Sequence, residues 1–135
     1  IWFIFIRSKS NKLIPEVVLK PHESALLKLQ ELHQELNKGI DNKMYYSELT
    51  TVLRVYIEKR YYVPALEKTS KQILKTLRSK EISPSVYKDL KELLNLADFV
   101  KFAKANPDSH ENEMNYLKAV SFVNHTTLKD LSNGV

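Results

Sequence analysis

The chain is predicted to be all-α: a compact bundle of about five helices, preceded by the end of a transmembrane helix and an extended linker. Three observations carry this. Apolar residues recur at steps of three and four through most of the 135 residues, the spacing of one helix face. Capping side chains and prolines stand directly ahead of those stretches. Only two glycines occur, Gly39 and Gly134, too few for the tight turns of an all-β fold. At 43% apolar and 27% charged, the composition is that of one globular domain.

Taken in order, the chain begins with six apolar residues, Ile1, Trp2, Phe3, Ile4, Phe5 and Ile6, followed at once by Arg7, Lys9 and Lys12. Six residues do not span a bilayer, which takes about 20, and neither a basic leader nor a small-residue cleavage site marks a signal peptide. An aromatic-rich apolar end running into basic residues is the pattern of a cytoplasmic exit. Residues 1–7 are therefore expected to end a transmembrane helix, with Ile1 to Ile6 in the membrane and Arg7, Lys9 and Lys12 at its surface. The alternative is a strand or helix end docked on the domain. Residues 8–21, with Pro15 and Pro21 six apart, read as an extended juxtamembrane linker.

The helical domain is expected over 22–131. Its first helix spans about 22–38, with Ala25, Leu29, Leu32 and Leu36 on one face and Gly39 as a left-handed terminator. The second starts at Asp41 or Asn42 and presents Tyr46, Leu49, Leu53 and Tyr56 at steps of three, four and three, until Pro64 stops it near residue 62. Arg54 and Glu58 stand one turn apart on it, spaced for a surface pair. Thr69 and Gln72 form a capping box for a short third helix ending near Lys80. Ser83 and Pro84 open a fourth, running to about Ala105 with a seam of Val86, Leu90, Leu93, Ala97 and Val100. Leu96, Phe99 and Phe102 lie off that seam, which predicts a central helix, buried on more than one side. Asp108 or Ser109 caps a fifth helix, with Glu111 as the partner of Asp108 and Tyr116, Leu117, Val120 and Val123 as its apolar face; residues 132–135 form a tail.

Several chemistries are excluded. Two isolated glycines make no phosphate-binding loop, dinucleotide fingerprint or nucleophile elbow. Without cysteine there is no disulfide, thiolate metal site or thiol nucleophile. His22, His33, His110 and His125 fall in no metal-binding spacing and are read as solvated or capping side chains. The acids mostly alternate with Lys or Arg, as on a solvated face, and no catalytic dyad is assigned to Glu31 with Glu35 or Glu48 with Glu58. No catalytic, cofactor or metal site is expected.

The net charge of +5 and a pI of about 9.3 raise nucleic-acid binding as the alternative function. Residues 1–20 carry a local +3, however, and the rest holds 17 basic against 15 acidic residues, so the excess is read as belonging to the N-terminus rather than to a folded face. Tyrosines interleaved with Arg54, Lys59 and Arg60 suit base stacking but also core packing. Residues 69–78 have the look of a recognition helix, yet about six residues including Pro64 separate them from the second helix, more than the turn of three or four residues in a helix-turn-helix.

The ordered motifs Pro21-His22-Glu23-Ser24-Ala25-Leu26, Tyr46-Ser47-Glu48-Leu49, Arg54-Val55-Tyr56-Ile57-Glu58-Lys59-Arg60, Val63-Pro64-Ala65-Leu66-Glu67-Lys68-Thr69 and Leu94-Asn95-Leu96-Ala97-Asp98-Phe99-Val100-Lys101-Phe102-Ala103 resemble the cytoplasmic C-terminal domain of BatD-like membrane proteins from bacterial Bat (aerotolerance) operons. The resemblance spans residues 21–124. One departure is Tyr62, where a small residue such as glycine often follows the aromatic. The resemblance implies a single-pass protein of the bacterial inner membrane with this domain in the cytoplasm. It also implies partners among MoxR-type AAA+ ATPases and von Willebrand A-type proteins. It supplies no catalytic residues. The partner-binding residues expected from the most recognisable motifs are Arg54, Glu58 and Arg60 on the second helix and Asp98, Phe99, Lys101 and Phe102 on the fourth. The charged ones equally suit an ion pair joining those two helices.

Overall fold

The computed structural model describes residues 18–128, which fold into five helices with no strand among them. These are α1 (Pro21–Asn37), α2 (Asn42–Tyr61), α3 (Ser70–Leu77), α4 (Pro84–Lys101) and α5 (Ser109–Thr126). The apolar run 1–6, the basic residues at 7, 9 and 12, most of the expected linker, and residues 129–135 lie outside the described residues. Among the described residues no helix is long and apolar enough to cross a membrane.

The starts follow the capping chemistry. Asp41 accepts the Met44 N–H at 3.2 Å, and Ser83 accepts that of Val86 at 3.4 Å. Thr69 with Gln72 and Asp108 with Glu111 close reciprocal boxes at 2.9–3.1 Å. Pro21 occupies the first turn of α1, behind an extended Lys20 whose N–H donates to Glu23.

The end of α1 is the expected one, whereas α3 and α4 stop short of the positions read from the sequence. After α1, Gly39 (φ 92°) lets its own N–H reach Leu36 O and the Ile40 N–H reach Glu35 O, a Schellman closure. α4 stops at Lys101 rather than near Ala105 because the same closure recurs: Ala103 N–H bonds to Val100 O and Lys104 N–H to Phe99 O, with Ala103 at φ 60°. α3 ends at Leu77, short of Lys80, because tighter i to i−3 bonds take over: Arg78 N–H to Lys75 O and Lys80 N–H to Leu77 O. α5 ends at Thr126, where Thr127 turns extended.

The four long helices close a ring, α1 on α2, α2 on α4, α4 on α5 and α5 on α1, with α2 also touching α5; α3 packs on α4 alone. α2, not α4, is the helix enclosed on most sides, burying eight of its twenty residues. Tyr45, Tyr46, Tyr56, Leu29, Leu53 and Phe122 anchor the core. The Tyr56 and Phe122 rings meet edge to face at 5.9 Å.

A polar seam crosses that core. The Tyr46 hydroxyl donates to Asn112 Oδ1 (2.8 Å) and accepts from Asn115 Nδ2 (2.9 Å), while Tyr45 donates to the Asn112 carbonyl (3.1 Å). Asn112 in turn donates to Asn42, which donates to Asn106 and to the Pro107 carbonyl. At the far end Tyr56 meets Thr126 at 2.8 Å. The near-constant sequence offset of these pairs means that α2 and α5 run parallel. Burial pushes the Tyr46 hydroxyl up to about 12 and that of Tyr45 further still.

Candidate interaction surface

The seam of α4 faces the core as its spacing requires: Val86, Leu90, Leu93, Ala97 and Val100 are all buried. Phe99 and Phe102 lie off it, and no element packs over them; they are 54% and 67% exposed. This corrects the expectation that α4 is apolar all round because it is enclosed. Its second face opens to water, and only Leu96 is partly covered. The Schellman closure sets Phe102 at the helix terminus, and Lys101 Nζ lies 5.8 Å from the centre of its ring. Asp98 is half-buried on the same turn. One end of the bundle therefore carries two open aromatic rings, with a cation beside that of Phe102.

The other three expected partner residues sit elsewhere. α4 and α5 are joined by a short turn and bridged at mid-length by the Glu92–Lys118 pair at 3.0 Å, so α4 runs antiparallel to α5 and hence to α2. Phe99 and Phe102 thus lie toward the start of α2. Glu58 is sixteen residues along from Asn42, roughly 24 Å at 1.5 Å per residue. The seven residues form no single surface.

Two of those three are used internally. Glu58 accepts the Ala65 and Leu66 N–H groups at 2.8 and 2.9 Å, closing the turn after α2, and these bonds hold its carboxyl below the usual range. The expected Arg54–Glu58 pair does not form, because Glu58 turns to the loop; nor does an ion pair join α2 to α4 among the described residues. Arg60 donates from Nε to the Thr126 carbonyl, capping the end of α5, and lays its guanidinium 4.4 Å from the Tyr61 ring centre. Arg54 is half-buried, with Nε lacking a hydrogen-bond partner.

His33 also departs from its expected solvated state. Its Nε2 lies 2.8 Å from a Glu113 carboxylate oxygen, and its ring stacks on Tyr116 at 4.1 Å, tying α1 to α5. Sequence reasoning missed Asn112 and Asn115 as buried residues; only their periodicity with Ala119 and Phe122 carried a signal.

Two open grooves carry no histidine or serine in their walls. One, of about 320 Å³, lies among Val63, Pro64, Lys68, Gln72, Lys75 and Thr76. Another, of about 550 Å³ between α1 and α2, is floored by Leu32, Ile40, Met44 and Val52. Among the described residues no group of three or more His, Asp or Glu is placed to hold a metal ion. No known protein family, curated protein or solved structure matches the chain.

Proposed function

We propose that the chain is a membrane-tethered helical interaction module of a Bat-type (aerotolerance-like) protein, held at the bacterial inner membrane with this bundle in the cytoplasm. The bundle docks a MoxR-type AAA+ ATPase; von Willebrand A-type proteins are the second class of partner that the motif resemblance implies. In this role the chain binds and positions, catalyses nothing itself and needs no cofactor. The single observation that carries the proposal is the exposure of Phe99 and Phe102, the latter with Lys101 beside its ring. Docking that covers the open half of each ring removes roughly 100 Å² apiece from water, worth about 2–3 kcal/mol per ring at about 25 cal/mol per Å². Two such rings are enough for a binding hot spot.

The test is capture of the MoxR-type ATPase by the whole chain, with Phe99→Ala/Phe102→Ala and Lys101→Glu variants checked for unchanged helix content. Capture is expected to fall for both. Undiminished capture by stably folded variants refutes this surface. The tether is tested separately: the protein should stay with the membrane fraction through a high-salt wash.

A further inference from the structure

A second surface stands out by its charge. Lys68, Lys71, Lys75, Arg78 and Lys80 follow one another with no acidic residue among them. The other residues of 18–128 hold twelve basic and fourteen acidic side chains. The positive excess of the folded domain thus belongs to one short segment, separate from the local +3 of residues 1–20.

The local structure gathers these cations on one side. At 100° per residue, positions 71, 75 and 78 fall within a sector of about 60°, and Lys68 stands in the turn just ahead of the helix. Ser70, Ile73, Leu74 and Leu77 turn the opposite side of α3 into the core. α3 packs on no helix but α4, to which the Tyr87 hydroxyl ties it by donating to Leu74 O at 2.9 Å, so its outer face is open. All four cations are exposed and none pairs with a described carboxylate, although like charges one turn apart repel each other. Lys80 and Arg60 extend the patch around the Tyr61 ring, at 6.0 and 4.4 Å. The turn leading into α3 adds apolar surface: Tyr62 is 87% exposed and Leu66 46%.

We infer that the outer face of α3, with the Tyr62–Leu66 turn beside it, lies against an anionic phospholipid surface. Cations flanked by an exposed aromatic and an aliphatic side chain suit the headgroup region, where aromatic rings settle at the boundary and Lys and Arg meet lipid phosphates. Nucleic acid fits less well, because Tyr45, Tyr46 and Tyr56, which stacking on bases would need at the surface, are buried. The inference rests on the membrane tether for the nearness of a bilayer, but its chemistry is tested apart from it.

The experiment is co-sedimentation of the whole chain with vesicles of phosphatidylcholine alone and of phosphatidylcholine mixed with phosphatidylglycerol. Partitioning into phosphatidylcholine alone reports the apolar N-terminus, and its absence would sink the tether but not this face. The gain on adding phosphatidylglycerol reports the cations. Each cation near an anionic surface is worth about fivefold in partitioning, so the exposed Lys68→Gln/Lys71→Gln/Lys75→Gln/Arg78→Gln variant should lose the gain by a factor on the order of several hundred. Raising salt from about 0.1 M to about 1 M, which shortens the screening length from about 10 Å to about 3 Å, should abolish it in the unsubstituted chain. Gln sustains helices well, and circular dichroism checks that the variant folds. A full gain in the folded quadruple variant overturns the inference. So does its complete loss in Arg7→Gln/Lys9→Gln/Lys12→Gln. Tighter binding of a single-stranded oligonucleotide than of phosphatidylglycerol vesicles, lost on the same four substitutions, makes the face a nucleic-acid site and overturns it too.

Discussion

Replacing Tyr62 by glycine should make the domain more stable. Tyr62 terminates α2 at φ 58° and ψ 43°, the left-handed region, with its N–H bonded to Glu58 O at 2.9 Å. That conformation costs an L-residue about 1–2 kcal/mol, and glycine adopts it freely. The ring is 87% exposed, so removing it sacrifices little packing. Against the gain stands the greater freedom of glycine in the unfolded chain, about 0.5–1 kcal/mol. The net expectation is a stabilisation of about 0.5–1 kcal/mol, or a rise in melting temperature of about 2–5 °C for a domain of this size. Urea unfolding followed by helical circular dichroism reads it as a higher midpoint at unchanged slope. Tyr62→Ala is the control, since it removes the ring and keeps the strain, and it should gain nothing. A glycine variant no more stable than the alanine one would refute the claim that strain is stored at this position.

Two further expectations concern ionisation. The raised Tyr46 hydroxyl stabilises the fold fully below the ordinary tyrosine value near 10, and that contribution is lost as pH climbs toward about 12; phenolate absorbance should therefore lag for the buried tyrosines and appear together with loss of helix. All seven tyrosines ionising in one step near pH 10 with the helices intact would contradict it. Tyr46→Phe, which strips Asn115 and Asn112 of a partner, should cost about 1–3 kcal/mol in urea unfolding. Glu58→Ala removes two bonds to backbone N–H groups, and solvent screening of this half-exposed carboxylate holds the loss to about 1 kcal/mol. Because these bonds lower the Glu58 carboxyl, its contribution is present above the ordinary glutamate range and fades as pH falls below it. The difference between variant and parent should be present at neutral pH and shrink as pH falls through and below the ordinary glutamate range.

Helix starts were legible because the cap is written in a single side chain and a short offset: Asp41, Thr69 with Gln72, Ser83 before Pro84, and Asp108 with Glu111 all act where the sequence puts them. Helix ends were less so, since the α4 terminator is an alanine held left-handed, which no residue preference announces. The exposure of Phe99 and Phe102 was open as well, because an aromatic off the main seam is equally consistent with a second buried face, and only the ring of neighbours decides. Arg54, Glu58 and Arg60 look alike as charges on a helix. Their roles diverge because a loop and the end of α5 come within reach of two of them, contacts between residues far apart along the chain. The cationic side of α3 was present in the sequence, but summing charge over the whole domain concealed it.

The seam of Asn42, Tyr45, Tyr46, Asn112 and Asn115 has a consequence for folding. α1 with α2 and α4 with α5 are hairpins that can form locally, but apolar ridges alone would let one hairpin settle against the other a turn too far, about 5.4 Å along the axis. Such a slip would leave two tyrosine hydroxyls and two amides facing hydrocarbon. The hydroxyl–amide ladder therefore acts as a vernier: it tolerates one alignment of the halves and makes every neighbouring alignment unstable.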